Sequence, residues 1–194
     1  MNKRDFLKTA AIGSAALPLS AYSGQANAAG PALLTVTGAI SRSNRGPFDP
    51  ALDQMMSKQK IGFDKAYAFD FAALDTLPKT HIHPTLEYDA KPHKLSGPSL
   101  MEVLRIVGAP AGDAVKVLLR AIDGYAVVQS AADLRRYGMI VATRLDDKPI
   151  PLGGLGPLWA VYDADRIPEM KAKPLNERFG ICPWGLYHIA IQQG

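Results

Sequence analysis

Four short stretches hold the residues best suited to chemistry. Gly153 to Asp163 reads GGLGPLWAVYD, a glycine-rich turn that passes through a Gly156-Pro157 corner into Leu158-Trp-Ala-Val-Tyr162. Glycines such as Gly154 and Gly156 let bare backbone come close to something flat or anionic. Trp159 and Tyr162 follow within six residues of Gly156. Aromatic rings beside open backbone suit a planar ligand with several hydrogen-bonding edges, such as a pterin, and they equally suit a hairpin turn leading into a half-buried strand. On an alternating strand Trp159 and Val161 share one face, while Leu158, Ala160 and Tyr162 share the other. Trp159 is therefore expected in a pocket, with the core as its alternative.

The second stretch is Ala121-Ile-Asp-Gly-Tyr125. Asp123 offers two carboxylate oxygens to an amino–amide edge, or forms a turn with Gly124. Tyr125 either hydrogen-bonds a ligand or packs. The third is Thr80-His-Ile-His-Pro84, where His81 and His83 share a strand face and fit hydrogen bonds to a ring or its side chain. A metal needs three or four ligands; His93 and His188 are the other histidines, and no acidic residue is spaced to join the pair, so no metal site is expected. The fourth is Arg144, able to meet a phosphate or to sit as a strand-end surface charge. The sequence carries neither a G-x-S-x-G elbow nor paired catalytic carboxylates, so no catalytic residue is expected.

The elements that must position these groups follow from local pattern. Residues 33–38 alternate and are β-branched, predicting a first strand. Tyr67, Phe69 and Phe71 alternate in a second, followed by a helical turn that Pro78 stops. Ser96 to Leu100 leads into a helix with Ser99 as cap, Glu102 at the capping-box position and Gly108 at its end. Residues 115–121 and 125–128 predict a hairpin through Asp123-Gly124. Ser130 caps a short helix, 139–144 reads as a buried strand, 165–178 as a loop, and 184–191 as a closing strand. The sum is an α+β domain, rich in mixed β-sheet, with short helices.

Residues 1–28 read as an export signal: basic Lys3, Arg4 and Lys8, a short apolar run to Ala21, and a small-x-small site at Ala26-Asn27-Ala28. Lys3-Arg4-x-Phe6-Leu7-Lys8 is similar to a twin-arginine signal with Lys for the first Arg. Cleavage near Ala28 and a periplasmic location are expected, leaving 29–194 as one domain. The formal charge of +4 falls to +2 once Lys3, Arg4, Asp5 and Lys8 are removed. A near-neutral domain without a Lys/Arg cluster gives no case for nucleic acid. Cys182 is the single cysteine. It excludes an internal disulfide, is expected to be buried, and cannot build a zinc or iron–sulfur site alone.

An ordered set of segments carries a resemblance. It comprises Gly97-Pro-Ser-Leu-Met-Glu-Val-Leu104 with Gly108, Ala121-Ile-Asp-Gly-Tyr125, Met139-Ile-Val-Ala142, Asp147-Lys-Pro149, Gly156-Pro-Leu-Trp-Ala-Val-Tyr162, and Trp184 to Ile189. Together, over roughly residues 33–191, they resemble the molybdopterin-binding domain of sulfite oxidase-type oxidoreductases, above all its small exported members. The resemblance implies a mixed α+β fold built on β-sheet. Members that carry out oxidation ligate molybdenum through a cysteine just before the Gly-Pro-Ser-Leu-like helix, a soft thiolate. Residues 80–96 hold no cysteine, and Cys182 lies after the motif set. Small members without that cysteine bind reduced pterins in the periplasm and report to a membrane-bound protein that makes or degrades a cyclic dinucleotide. The resemblance thus implies a binding module for a reduced, non-metallated pterin with such a partner. A molybdenum-cofactor oxidoreductase holding molybdopterin is the alternative. Two departures bear on the ligand. Thr80, Pro84 and Thr85 remain of a Thr-x-x-Pro-Trp pattern, but its Trp is replaced. Gly153-Gly154-Leu155 stands where related segments carry basic residues, which favours an unphosphorylated pterin.

Overall fold

Alternation in β1 (Leu34–Gly38) puts Leu34 and Val36 into the main core, and Thr35 and Thr37 on the opposite face. The computed structural model describes residues 30–192, so the expected export signal lies outside the described residues. After β1 come α1 (Gln54–Lys58), β2 (Tyr67–Phe69), α2 (Phe71–Asp75), β3 (Lys79–Ile82) and β4 (Leu95–Pro98). Then follow α3 (Leu100–Ile106), the hairpin β5 (Lys116–Ala121) and β6 (Ala126–Ser130), and α4 (Ala131–Tyr137). The chain closes with β7 (Ile140–Ala142), β8 (Arg144–Leu145), β9 (Lys148–Pro149), β10 (Trp159–Val161), α5 (Pro168–Lys171) and β11 (Leu186–Gln192). This is a mixed α+β domain of several sheets and short helices.

Three sheets divide the strands. The largest has the order β2-β1-β11-β5-β6, in which β1 and β11 run parallel and the other pairs antiparallel. A second has four strands, β3-β4-β8-β9, and a third pairs β7 with β10. Side chains from all three meet in one core: Leu34, Val36, Val117, Leu119, Ile189 and Ile191 of the largest sheet, Leu95 of β4 and Val141 of β7, together with Leu100 and Val103 of α3 and Leu134 of α4. Each such side chain contributes roughly 1.5–3 kcal/mol by leaving water. A small separate cluster of Met56, Ile61 and Tyr187 forms where the chain between β1 and β2 folds over Tyr187.

The caps fall where the sequence places them. Ser99 accepts a hydrogen bond from Glu102 N, and Ser130 from Asp133 N. The reciprocal half of the capping box is absent: Glu102 takes both its oxygens to Arg105, at 2.8 and 2.6 Å. Three expectations are revised. Residues 95–98, read as the lead into a helix, are a strand, because β3 and β8 pair with them on either side. Residues 139–144, read as one strand, divide at Thr143 between β7 and β8, which belong to different sheets. The 165–178 loop contains α5 and a 3-10 turn at Leu175–Glu177.

Candidate functional site

A cavity of about 250 Å³ opens where three segments far apart in sequence converge. One wall is the loop after β3, which contributes Glu87 and Tyr88. The base is the end of β5 and the hairpin turn, with Ala121, Asp123 and Tyr125. The other wall is the run before β11, with Asn176, Phe179, Gly180, Cys182, Pro183 and Trp184.

Hydrogen bonds fix each wall. Trp159 Nε1 donates to Cys182 O at 2.9 Å, and Tyr162 Oη donates to Arg178 O at 2.5 Å. Both rings lie about 6 Å from that of Phe179 (6.0 and 6.3 Å between centroids), so the aromatic floor beneath the cavity is continuous. Tyr125 Oη donates to Gly180 O, joining the hairpin turn to the second wall. Ile122 N donates to Gly185 O at 2.9 Å, which seats the turn beside Trp184. The first wall is held from below by two carboxylates: Asp163 Oδ2 accepts His83 N at 3.2 Å, and Asp165 Oδ2 accepts Thr85 N at 2.7 Å. Asp165 Oδ1 also accepts Arg178 Nη1 at 3.0 Å, so one side chain ties both walls together.

The lining has a distinct chemistry. It holds four aromatic residues, Tyr88, Tyr125, Phe179 and Trp184, two carboxylates, Glu87 and Asp123, and no lysine or arginine. Asp123 Oδ1 accepts Tyr125 N at 2.9 Å and closes the turn, while Oδ2 has no partner among the described residues. Partial burial raises the Tyr88 hydroxyl to about 12, with the Glu87 carboxylate adding to the shift, although the residue as a whole stays 56 % exposed. Burial also pushes the Cys182 thiol well above its usual range, against a weaker opposing effect of hydrogen bonding with Tyr162. Carboxylate and open aromatic faces suit a flat, donor-rich, non-anionic ligand.

Of the residues proposed from sequence, the structure brings Asp123 and Tyr125 into the cavity and places the others elsewhere. Trp159 is 1 % exposed and forms part of the core beneath it. Trp159 and Tyr162, assigned to opposite strand faces, are both buried and reach the same Phe179 ring because β10 ends at Val161, before Tyr162. Gly156 is a packing glycine: a Cβ there would stand 2.4 Å from Ile150 O. Gly154 lies exposed in the preceding turn. Arg144 is engaged by Asp75 through Nε and Nη2, each at 3.0 Å, over the ring of Phe71. Those bonds bring Asp75 down to about 2, with Lys79 assisting. His81 and His83 are exposed and outside the lining; His83 contributes its backbone N–H.

Sequence reasoning missed Glu87, Tyr88, Phe179, Cys182 and Trp184 as lining residues. Trp184 was assigned to the closing strand, yet β11 begins only at Leu186. Pro183 was the available signal, since a proline directly before an aromatic interrupts a strand ladder. Among the described residues no group of three or more His, Cys, Asp or Glu is arranged to hold a metal ion. No family model matches the chain, and no curated protein matches it significantly.

Proposed function

We propose that this domain is a periplasmic binding module that retains a reduced, metal-free and unphosphorylated pterin in the cavity beside Asp123. On this reading it has the sulfite oxidase-type molybdopterin-binding fold and reports pterin status to a membrane-bound protein that makes or degrades a cyclic dinucleotide. The observation that carries the reading is the meeting of Asp123 with Tyr88, Phe179 and Trp184 around one small cavity. A pterin presents a 2-amino group and a ring N–H to a carboxylate and two flat faces to aromatic rings. Drug-sized ligands occupy roughly 300–1,000 Å³; about 250 Å³ suits a single bicycle with a short side chain. A lining without lysine or arginine offers no counter-charge to a phosphate tail.

One observation favours the molybdenum-cofactor reading. Cys182, off-motif in sequence, lines the same cavity. In the metal-free protein burial holds this thiol protonated, so a metal would have to displace its proton on binding. The two readings part in one experiment on protein exported and purified from cells. Acid release followed by fluorescence and mass measurement is expected to yield a simple pterin, with elemental analysis finding no stoichiometric molybdenum. Molybdenum near one per chain would overturn the proposal.

A further inference from the structure

The cavity wall formed by Glu87 and Tyr88 is fastened at its outer end by one histidine. His93 Nε2 lies 2.9 Å from Asp89 Oδ2, within the same loop, and Nδ1 lies 2.7 Å from Asp146 Oδ2, in the turn between β8 and β9. The Asp146 turn is itself anchored to Lys94, next to His93 and just before β4: Oδ1 accepts Lys94 N at 3.0 Å, and Asp146 N donates to Lys94 O at 2.8 Å. An ionised carboxylate only accepts, so two such partners require an N–H on each ring nitrogen. A neutral ring carries one N–H, and would turn a lone pair toward the second carboxylate. The loop also holds Ala90 at φ +56°, a left-handed conformation an alanine keeps only under restraint. Its remaining internal ties include Leu86 N to Lys91 O at 2.9 Å, Ala90 N to Leu86 O at 3.0 Å, His93 N to Pro84 O at 3.1 Å, and Lys91 N to Asp89 Oδ1 at 3.1 Å.

We propose that His93 is a pH-operated clasp: protonated, it ties Asp89 on the cavity-wall loop to Asp146 on the facing turn and keeps Glu87 and Tyr88 against the cavity, and on losing its proton it lets that wall open. The surrounding charges favour this assignment. The hydrogen bonds to Asp146 and Asp89 raise His93 above its ordinary value of 6.5, and lower both carboxylates. The other charged groups packed here are Lys91 on the loop, the Lys94–Asp147 ion pair at 2.7 Å, and His81 on β3, which acts on Asp147. Because the folded value is raised, the clasp is fully formed below pH 6.5 and is lost as pH rises through the His93 value. Its consequence for ligand, slower release at acid pH, rests on the pterin reading.

The test is amide hydrogen exchange by NMR at Leu86, Ala90 and His93 in the mature protein from pH 5.5 to 8.5, corrected for intrinsic rates. Wild type is expected to lose about three- to tenfold of its protection across that range. His93→Gln should start low and stay low, and His81→Gln should follow wild type. Protection in His93→Gln equal to wild type at pH 5.5, or wild-type protection that ignores the titration of the His93 ring, would overturn the clasp. Reduced-pterin titrations on the same samples separate the two ideas. Tight pterin binding with pH-independent protection sinks the clasp alone. A pH-dependent wall in a protein that takes no pterin supports the clasp and sinks the ligand reading.

Discussion

Trp159 and Trp184 are the two tryptophans of the chain, and their environments assign them different work. Trp159 is buried with its Nε1 satisfied by Cys182 O, so Trp159→Ala is expected to cost about 3–5 kcal/mol in a urea melt. Trp184 is 39 % exposed on the cavity wall, so Trp184→Ala should cost less in the melt than Trp159→Ala and, on the pterin reading, weaken pterin binding in a fluorescence titration. Asp123→Asn keeps an oxygen for Tyr125 N but loses the second ionised acceptor. A charge-assisted hydrogen bond is worth about 1.5–3 kcal/mol, so if the cavity takes a pterin as proposed its affinity should fall about ten- to a hundredfold without loss of fold. His188 argues in another direction. Its ring is 2 % exposed, bonded to Thr37 Oγ1 at 2.9 Å and set across the strand pair from Arg120. Burial, then the Arg120 charge, lowers it from 6.5 to about 4. Below pH 6.5 the unfolded chain takes up a proton that the folded one refuses, so stability drops progressively until about pH 4. The drop is about 3 kcal/mol. His188→Gln should remove that part of the acid sensitivity, read as the difference between wild-type and variant melts at pH 4.5 and 7.

At the scale of elements, β4 crosses β7 at a close junction. A Cβ on Gly97 would stand 1.9 Å from Val141 O, a backbone atom that cannot rotate away. Gly97→Ala is therefore expected to force the two sheets apart and to cost about 1–3 kcal/mol or more in a denaturant melt. Ser99→Ala, two residues on, should cost about 1 kcal/mol by removing the cap of α3. These neighbouring positions also mark what the sequence made legible. The cap at Ser99, the cap at Ser130, the β5–β6 hairpin and the alternation of β1 are written in residues adjacent to one another. The strand character of 95–98 is written elsewhere, in β3 and β8, which supply its hydrogen bonds. The break at Thr143 likewise depends on which sheet each neighbour joins. The same reason divides the site. Asp123 and Tyr125 announce themselves in a single turn, whereas Glu87, Phe179 and Trp184 acquire meaning only when two distant segments close on that turn.

At the scale of the whole molecule, Cys182 is where core, wall and cavity meet. Its side chain is buried, its carbonyl receives Trp159 Nε1, and it lines the cavity that Asp123 enters. Burial keeps the thiol protonated at neutral pH, and attack on an alkylating reagent requires the thiolate. Labelling must then wait for an opening that exposes and ionises the sulfur, and its rate reports the population of that open form. Iodoacetamide at pH 8 is expected to modify Cys182 at least on the order of a hundredfold more slowly in the native protein than in urea. A ligand held by the closed wall binds the opened form less well, so it lowers the open population by a factor of one plus the ratio of free ligand to Kd. Reduced pterin at about 100 times its Kd adds about 2.7 kcal/mol to the opening cost and should slow labelling a further hundredfold. A compound that binds elsewhere without linkage to this opening leaves the rate unchanged. Labelling that ignores saturating pterin would therefore remove the ligand from this cavity, even if the protein bound it.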